Sequence, residues 1–229
     1  MTDTLLQGIV GSTAYGLATP DSDIDRLAVH AEPSNMLMGL YPLPEKRRTI
    51  VGTDPDIASH ELGKAAHLWM KCNPTATEIL WLDSYEYLNW AGQELLEIRK
   101  DFLSRRHVRN AYLGYASHQL KKLAHRGDDE VPKRIEKHAR HILRLLHQGI
   151  ELHRTGELSV RLEPDVADRM REMAIDIAAR GDRGVALASD QVGHAIEAFD
   201  LYDTPLPEEP RQDRINELIL TIRRGYWSE

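Results

Sequence analysis

The stretch IVGSTAYGLATPDSDIDRLAVHAE, residues 9–32, sets two carboxylates, Asp23 and Asp25, two positions apart in an otherwise apolar run. Upstream of them lies a Gly-Ser pair, Gly11 and Ser12. LLQGIV (5–10) and IDRLAVH (24–30) have the composition of short strands. The spacer between them, GSTAYGLATPDS, is rich in turn formers. In a strand, residues two apart project to the same side, so Asp23 and Asp25 are expected to point together. Two like charges that close raise one another's pKa unless a cation lies between them. Mg²⁺ (or Mn²⁺) suits that place, because it takes hard oxygen ligands, often one or two carboxylates, and completes its shell with water and phosphate oxygens. Gly11 lets the backbone approach a ligand closely. Backbone N–H groups at the turn and at the start of a following short helix form an anion nest, to which the Ser12 hydroxyl adds a donor. A strand, a Gly-Ser turn, a short helix and then Asp-x-Asp would thus set phosphates against metal.

Downstream, MLMGLYPLPEKRRTIVGTDP reads as a loop with a strand around Thr49–Val51. DIASHEL (56–62) reads as a further strand, running into the amphipathic helix GKAAHLWMK. Asn73-Pro74 breaks and restarts the helix as TATEILWL, Pro being at ease in a first helical turn. From about Glu86 helix dominates. Ser104 is a good N-cap for RRHVRNAYLGYASHQLKKLAHR, with Gly127 as its stop and GDDEVP as an acidic loop. KRIEKHARHILRLLHQGIELHRTG follows and ends at Gly156, then ELSVRLE as an extended link. Two shorter helices around 164–180 and 187–199, the Pro-rich connector LYDTPLPEEPRQD and a last helix in RINELILTIRRG complete the chain. The expected architecture is α+β, a small mixed-sheet head over residues 1–85 followed by a C-terminal helical bundle over 86–229.

At 229 residues, with 41% hydrophobic and 28% charged residues, the chain can bury a real core. No run of apolar residues is long enough to span a membrane, and the N-terminus lacks the pattern of a secretory signal. The single cysteine, Cys72, excludes a disulfide framework and a cysteine-rich zinc site; a reducing cytoplasm is the expected compartment. The net charge of −7 argues against a generic nucleic-acid coat protein. Its distribution is uneven. Residues 99–154 hold 14 Lys or Arg against 6 Asp or Glu, a net of +8, which leaves −15 for the rest. Seven of the eleven histidines lie in the same segment. That segment is expected to face something anionic, with RNA as the candidate; the alternative is a basic helical face balanced by acidic neighbours.

Gly11-Ser12, the spacer and Asp23-Ile24-Asp25 together resemble the signature of the DNA polymerase β nucleotidyltransferase superfamily. GSTAYGL…SDIDRLAV resembles one branch, the predicted nucleotidyltransferases associated with RNA ligases in phages and bacteria. DIASHELGKAAHLWMKCNPTATEILWL, KHARHILRLLHQGIELHRTGEL and INELILTIRRG resemble further blocks of that branch, and residues 33–52 and 165–210 resemble it least. The resemblance implies a metal-dependent head that uses a nucleoside triphosphate such as ATP and works in RNA processing.

Superfamily members use a third carboxylate near the attacking hydroxyl, to complete a second metal site or to act as base. The resemblance places it at Asp56, with Asp54 and Glu61 as competitors; Asp54-Pro55-Asp56 could also be a plain turn. His60 and Lys64 lie one turn apart and could face the site, whereas Trp69, Trp81 and Cys72 read as core. Lys137, His141 and Arg144 fall at i, i+4 and i+7 and share a helix face, while Ile142, Leu145, Leu146 and Ile150 form the apolar one. Such a stripe would neutralise phosphates and stabilise leaving pyrophosphate, or it is a solvated face. Tyr115, Gln119 and Lys122 form a similar stripe, and Arg105, Arg106 and Arg109 cluster at a helix start, where the dipole disfavours them. No aromatic stacking platform for RNA is visible, so a grip on RNA would be electrostatic.

The expected reaction moves an NMP from an NTP to an acceptor hydroxyl and releases pyrophosphate. Asp23, Asp25 and Asp56 would be the catalytic and metal-binding residues, and Gly11, Ser12, Lys137, His141 and Arg144 the nucleotide-binding ones. An RNA 3′ end, such as that of tRNA, is the first acceptor considered. Nucleotidylation of a protein or small molecule is the second. A nucleotide-binding regulator without turnover and a purely structural helical protein are rivals of other classes; the latter leaves the paired aspartates unexplained.

Overall fold

Two adjacent leucines anchor the first strand. In β1 (Asp3–Ile9), Leu5 and Leu6 are fully buried, with a register shift between Thr4 and Leu6 that sets both inward. The computed structural model describes residues 2–20, 22–41, 43–53, 56–125 and 132–227. The expected stop at Gly127, most of the acidic loop and the competitor Asp54 lie outside the described residues. After β1 come α1 (Gly11–Tyr15), β2 (Arg26–Ala31), α2 (Ser34–Leu37), α3 (Glu45–Arg48), β3 (Thr49–Thr53), β4 (Asp56–Glu61) and α4 (Leu62–Met70). Next are α5 (Pro74–Thr77), a 3-10 turn (Glu78–Trp81), β5 (Tyr87–Leu88), α6 (Trp90–Glu97) and a second 3-10 turn (Arg99–Phe102). The remaining helices are α7 (Arg105–Ala124), α8 (Pro132–Thr155), α9 (Pro164–Ala179), α10 (Asp182–Leu201) and α11 (Gln212–Gly225).

The chain divides into two compact units. One comprises residues 1–103 with 209–229, the other 104–208. The division therefore falls at 103/104 rather than at 85/86, and α11 returns to the head. The reason is packing. The first unit's core gathers Leu5, Leu27 and Val29 of the sheet, Ala66 and Trp69 of α4, Ala91 and Leu95 of α6, and Ile215 and Ile222 of α11. Trp69 meets Phe102 edge to face at 5.1 Å. Its indole N–H donates to the Ala76 carbonyl at 2.8 Å, which satisfies the buried donor.

The first unit holds one mixed sheet in the order β3-β4-β2-β1-β5. β1 runs antiparallel to β2 and β5, β3 runs antiparallel to β4, and β2 and β4 are parallel. Side-chain ties hold α11 to this unit. Asp101 pairs with Arg214 at 3.1 Å and Arg211 at 3.4 Å, and Glu61 pairs with Arg223. The Ser34 hydroxyl donates to the Arg223 carbonyl at 2.6 Å.

The second unit packs α7 to α10 around Tyr112, Ala116, Ile142, Leu145, Ala174, Ala188 and Phe199. Gly149 lets α8 lie close on α7, since a methyl there would come within 2.7 Å of the Tyr112 Cβ. Among the described residues no helix is long and apolar enough to cross a membrane.

Candidate active site

The Gly-Ser turn and Asp25 meet at one end of the sheet. β1 stops at Ile9, and the Val10 amide donates to the Asp25 carbonyl at 2.9 Å, one step past the Ile9–Arg26 pair. Asp25 therefore stands beside the start of the Gly-Ser turn. Gly11 has φ +68°, a left-handed conformation that favours glycine. A methyl on Gly11 would lie 2.3 Å from Asp25 Oδ2. Only a hydrogen fits between this backbone and that carboxylate.

The short helix α1 is fixed from behind. Tyr15 is buried and its hydroxyl donates to Glu78 Oε2 at 2.6 Å. Gly16 caps the helix in the left-handed region, and the Leu17 amide donates to the Ser12 carbonyl at 2.9 Å. Gly11 and Ser12 are thus held at the edge of a buried anchor.

Asp23 and Asp25 precede β2 rather than lying inside it, since the strand begins at Arg26. Asp23 is exposed and Asp25 half-buried. Arg26, the cation next to them in sequence, is committed to Glu86, with its Nε 3.0 Å from both carboxylate oxygens. Gln7 also donates to Glu86 at 3.0 Å.

Parallel pairing brings the next carboxylate alongside. Arg26 faces Ile57 in the β2–β4 register, so Asp56, the first residue of β4, and Asp25, the residue just before β2, each stand one position earlier. Neighbouring strands are about 4.8 Å apart. Asp56 is exposed at the head of β4. Glu61 ends the same strand, five residues away, and is 4% exposed. Its Oε2 caps α4 by accepting from the Gly63 amide at 2.7 Å, and its Oε1 pairs with Arg223. It is held at the opposite end of β4.

His60 and Lys64 also lie at that opposite end. Both reach Thr49 Oγ1, His60 Nδ1 at 3.1 Å and Lys64 Nζ at 2.6 Å, and Lys64 also pairs with Glu45 at 2.8 Å. Burial, then Lys64 and His30, hold His60 below the ordinary histidine range. These two residues tie β3 and α3 to β4 and α4 and do not stand with Asp25 and Asp56. Trp69 and Cys72 are core, as expected.

Lys137, His141 and Arg144 lie on α8, in the second unit. They do not form one open stripe. Lys137 is exposed and His141 half-buried, but Arg144 is 1% exposed. Arg144 donates to Gln148 Oε1 at 2.6 Å, and its Nη2 lies 3.3 Å from His141 Nδ1. The helix winds the face inward within two turns, because Leu143 and Leu146 flank Arg144 and are buried too. Burial first, then Arg144, His138, Lys137 and Lys122, pushes His141 down to about 3. Gln119 of the second expected stripe meets His138 at 2.9 Å and so joins α7 to α8.

The donor set near Gly11 suits a hard divalent cation. Its side-chain oxygens come from carboxylates, and Mg²⁺ needs only one or two of these when water and phosphate supply the rest. Among the described residues no three His, Cys, Asp or Glu side chains converge closely enough to hold a metal alone.

A mixed sheet carrying a Gly-Ser turn against Asp-x-Asp is the arrangement of a polymerase β-type nucleotidyltransferase. The sequence bears this out: residues 2–180 match the family described as RlaP, RNA repair pathway DNA polymerase beta family. The chain belongs to that family and is a nucleotidyltransferase enzyme. No curated protein sequence matches it. Among solved structures it is similar to a nucleotidyltransferase-like protein from Exiguobacterium sibiricum, with 11% identity and a TM-score of 0.35. That likeness covers 97% of this chain and 74% of the other.

Proposed function

We propose that the enzyme moves an NMP from an NTP to the 3′ hydroxyl of an RNA, such as a tRNA, with Asp23 and Asp25 as metal ligands. The observation that carries this reading is the contact at Gly11. The backbone there has room only for hydrogen against Asp25 Oδ2, which sets a phosphate-binding turn directly beside a carboxylate. A bound Mg²⁺ or Mn²⁺ would supply Lewis-acid stabilisation of the phosphoryl oxygens. Asp23 and Asp25 would hold it. Gly11 and the Ser12 hydroxyl would bind and orient the triphosphate. Asp56 would accept the proton of the acceptor hydroxyl as its oxygen bonds to the α-phosphorus and the bond to the β-phosphate oxygen breaks, releasing pyrophosphate. Lys137 and Arg144 would supply positive charge for triphosphate or acceptor, with Lys137 the more accessible, and His141, held neutral, would serve as a hydrogen-bonding group.

Two observations favour RNA as acceptor. The family's description places its members in RNA repair, and residues 99–154 carry a net charge of +8. The test is transfer from each α-labelled NTP in turn, with Mg²⁺ or Mn²⁺, to total RNA and to lysate protein. Asp23→Ala serves as control. Label on RNA that vanishes in Asp23→Ala is the expected result. Label on a polypeptide or small molecule would move the acceptor to the second class. NTP binding with no label anywhere would mark a regulator without turnover.

A further inference from the structure

The block NPTATEILWL (73–82) gives no atom to the proposed reaction, yet it buries a carboxylate. Glu78 opens the 3-10 turn after α5 and is 3% exposed, next to the core residues Ile79 and Leu80. Burying a carboxylate costs free energy unless it is hydrogen-bonded, and an apolar side chain would fill the place without that cost. Glu78 Oε2 accepts from the Tyr15 hydroxyl of α1 at 2.6 Å.

That bond matters because α1 cannot hold itself. It has five residues, beginning with Gly11 and Ser12, and Val10 gives it no side-chain cap. A helix so short is unstable alone, so outside contacts set its direction. Tyr15 stands one helical turn after Gly11 and is buried. A hydrogen bond, unlike apolar packing, fixes angle as well as distance. The same block also meets the chain before the Gly-Ser turn. A methyl on Gly8 of β1 would lie 2.5 Å from Leu82 Cδ1. Leu82 and Glu78 therefore bracket the turn, one contact on each side of it. The block itself is braced. Asn73 caps α5 by accepting from the Thr75 and Ala76 amides at 3.1 and 3.2 Å, the Trp69 indole holds the Ala76 carbonyl, and the Tyr85 hydroxyl donates to the Ile79 carbonyl at 2.8 Å.

We propose that Tyr15 and Glu78 are positioning residues for the phosphate-binding turn. Their hydrogen bond sets where Gly11 and Ser12 meet the triphosphate relative to Asp25, and both act through the turn. The inference rests on the reading of Gly11 and Ser12 as triphosphate ligands.

The test measures binding of an α,β-methylene NTP, each base in turn, to the full-length protein with Mn²⁺, alongside the thermal midpoint. Affinity is expressed per folded molecule. Tyr15→Phe, which keeps the ring and removes only the hydroxyl, and Glu78→Ala are each expected to weaken the nucleotide about tenfold. Glu78→Gln keeps an oxygen for the hydroxyl and stays within about twofold of wild type. Ile215→Val, a core change in α11, lowers the midpoint alone and marks what a merely structural role looks like. Wild-type affinity in folded Tyr15→Phe, with Gly11→Ala defective, overturns the tether and leaves the role of the turn standing. Equal losses in Glu78→Gln and Glu78→Ala overturn it too. Absence of nucleotide binding by wild type, or binding indifferent to Gly11→Ala, overturns the reading of the turn and this proposal with it.

Discussion

At the scale of single residues, Gly11 carries the most weight. Its φ of +68° and the 2.3 Å approach to Asp25 Oδ2 leave no room for a methyl. Gly11→Ala is expected to cost about 1–2 kcal/mol in backbone strain alone, read by urea denaturation. It should also displace Asp25 and lower NMP transfer at least about tenfold, more than that stability loss explains. His141 makes a second, independent prediction. It is held neutral down to about pH 3 in the fold, whereas an unfolded histidine titrates near 6.5. Between those values the unfolded chain binds the extra proton, so stability falls as pH drops from about 6.5 toward about 3. His141→Gln should reduce the slope of stability against pH in that window by up to about one proton. The approach of Gly11 to Asp25 was legible in the sequence because it is local and its turn chemistry is restrictive. The burial of Arg144 was not. A spacing of i, i+4, i+7 shows that three residues share a face, not how far that face turns into a neighbouring helix.

At the scale of elements, β4 carries two carboxylates in opposite settings. Asp56 is exposed at its start beside Asp25, and Glu61 is buried at its end between a helix cap and Arg223. Glu61→Ala is expected to destabilise the protein by about 3 kcal/mol, because it strands a largely buried cation. Thermal unfolding reads this, and the folded fraction should retain metal-dependent NTP binding. Asp56→Asn should change stability by no more than about 0.5 kcal/mol and reduce transfer about a hundredfold or more. If the two effects were exchanged, Glu61 would be the third carboxylate. Strand identity for 56–61 was readable from its alternation, and so was the N-cap Ser104. The choice between Asp56 and Glu61 was not, because it depends on Arg223, a partner 162 residues further along the chain. β5 escaped for a different reason: two residues, Tyr87 and Leu88, are too few to show a period.

At the scale of the whole molecule, the head is completed by its own far end. Ile215 and Ile222 of α11 join the core of the first unit, and burial of each such side chain contributes about 1.5–3 kcal/mol. Removal of residues 209–229 is therefore expected to unfold the head, seen as loss of its cooperative thermal transition, rather than trim a dispensable tail. The amphipathic pattern of α11 was visible in the sequence, but an apolar face does not say which core it covers. The α+β class was visible because strands cluster before residue 62 and helices dominate afterwards. The central claim is that Asp23 and Asp25 hold a metal–triphosphate complex beside Gly11. Electron paramagnetic resonance of Mn²⁺ added to the full-length protein, with and without a non-hydrolysable NTP, tests it most directly. The account predicts nucleotide-dependent Mn²⁺ binding that is lost in Asp25→Asn and kept in the folded fraction of Glu61→Gln. Equal Mn²⁺ binding by wild type and Asp25→Asn would contradict it.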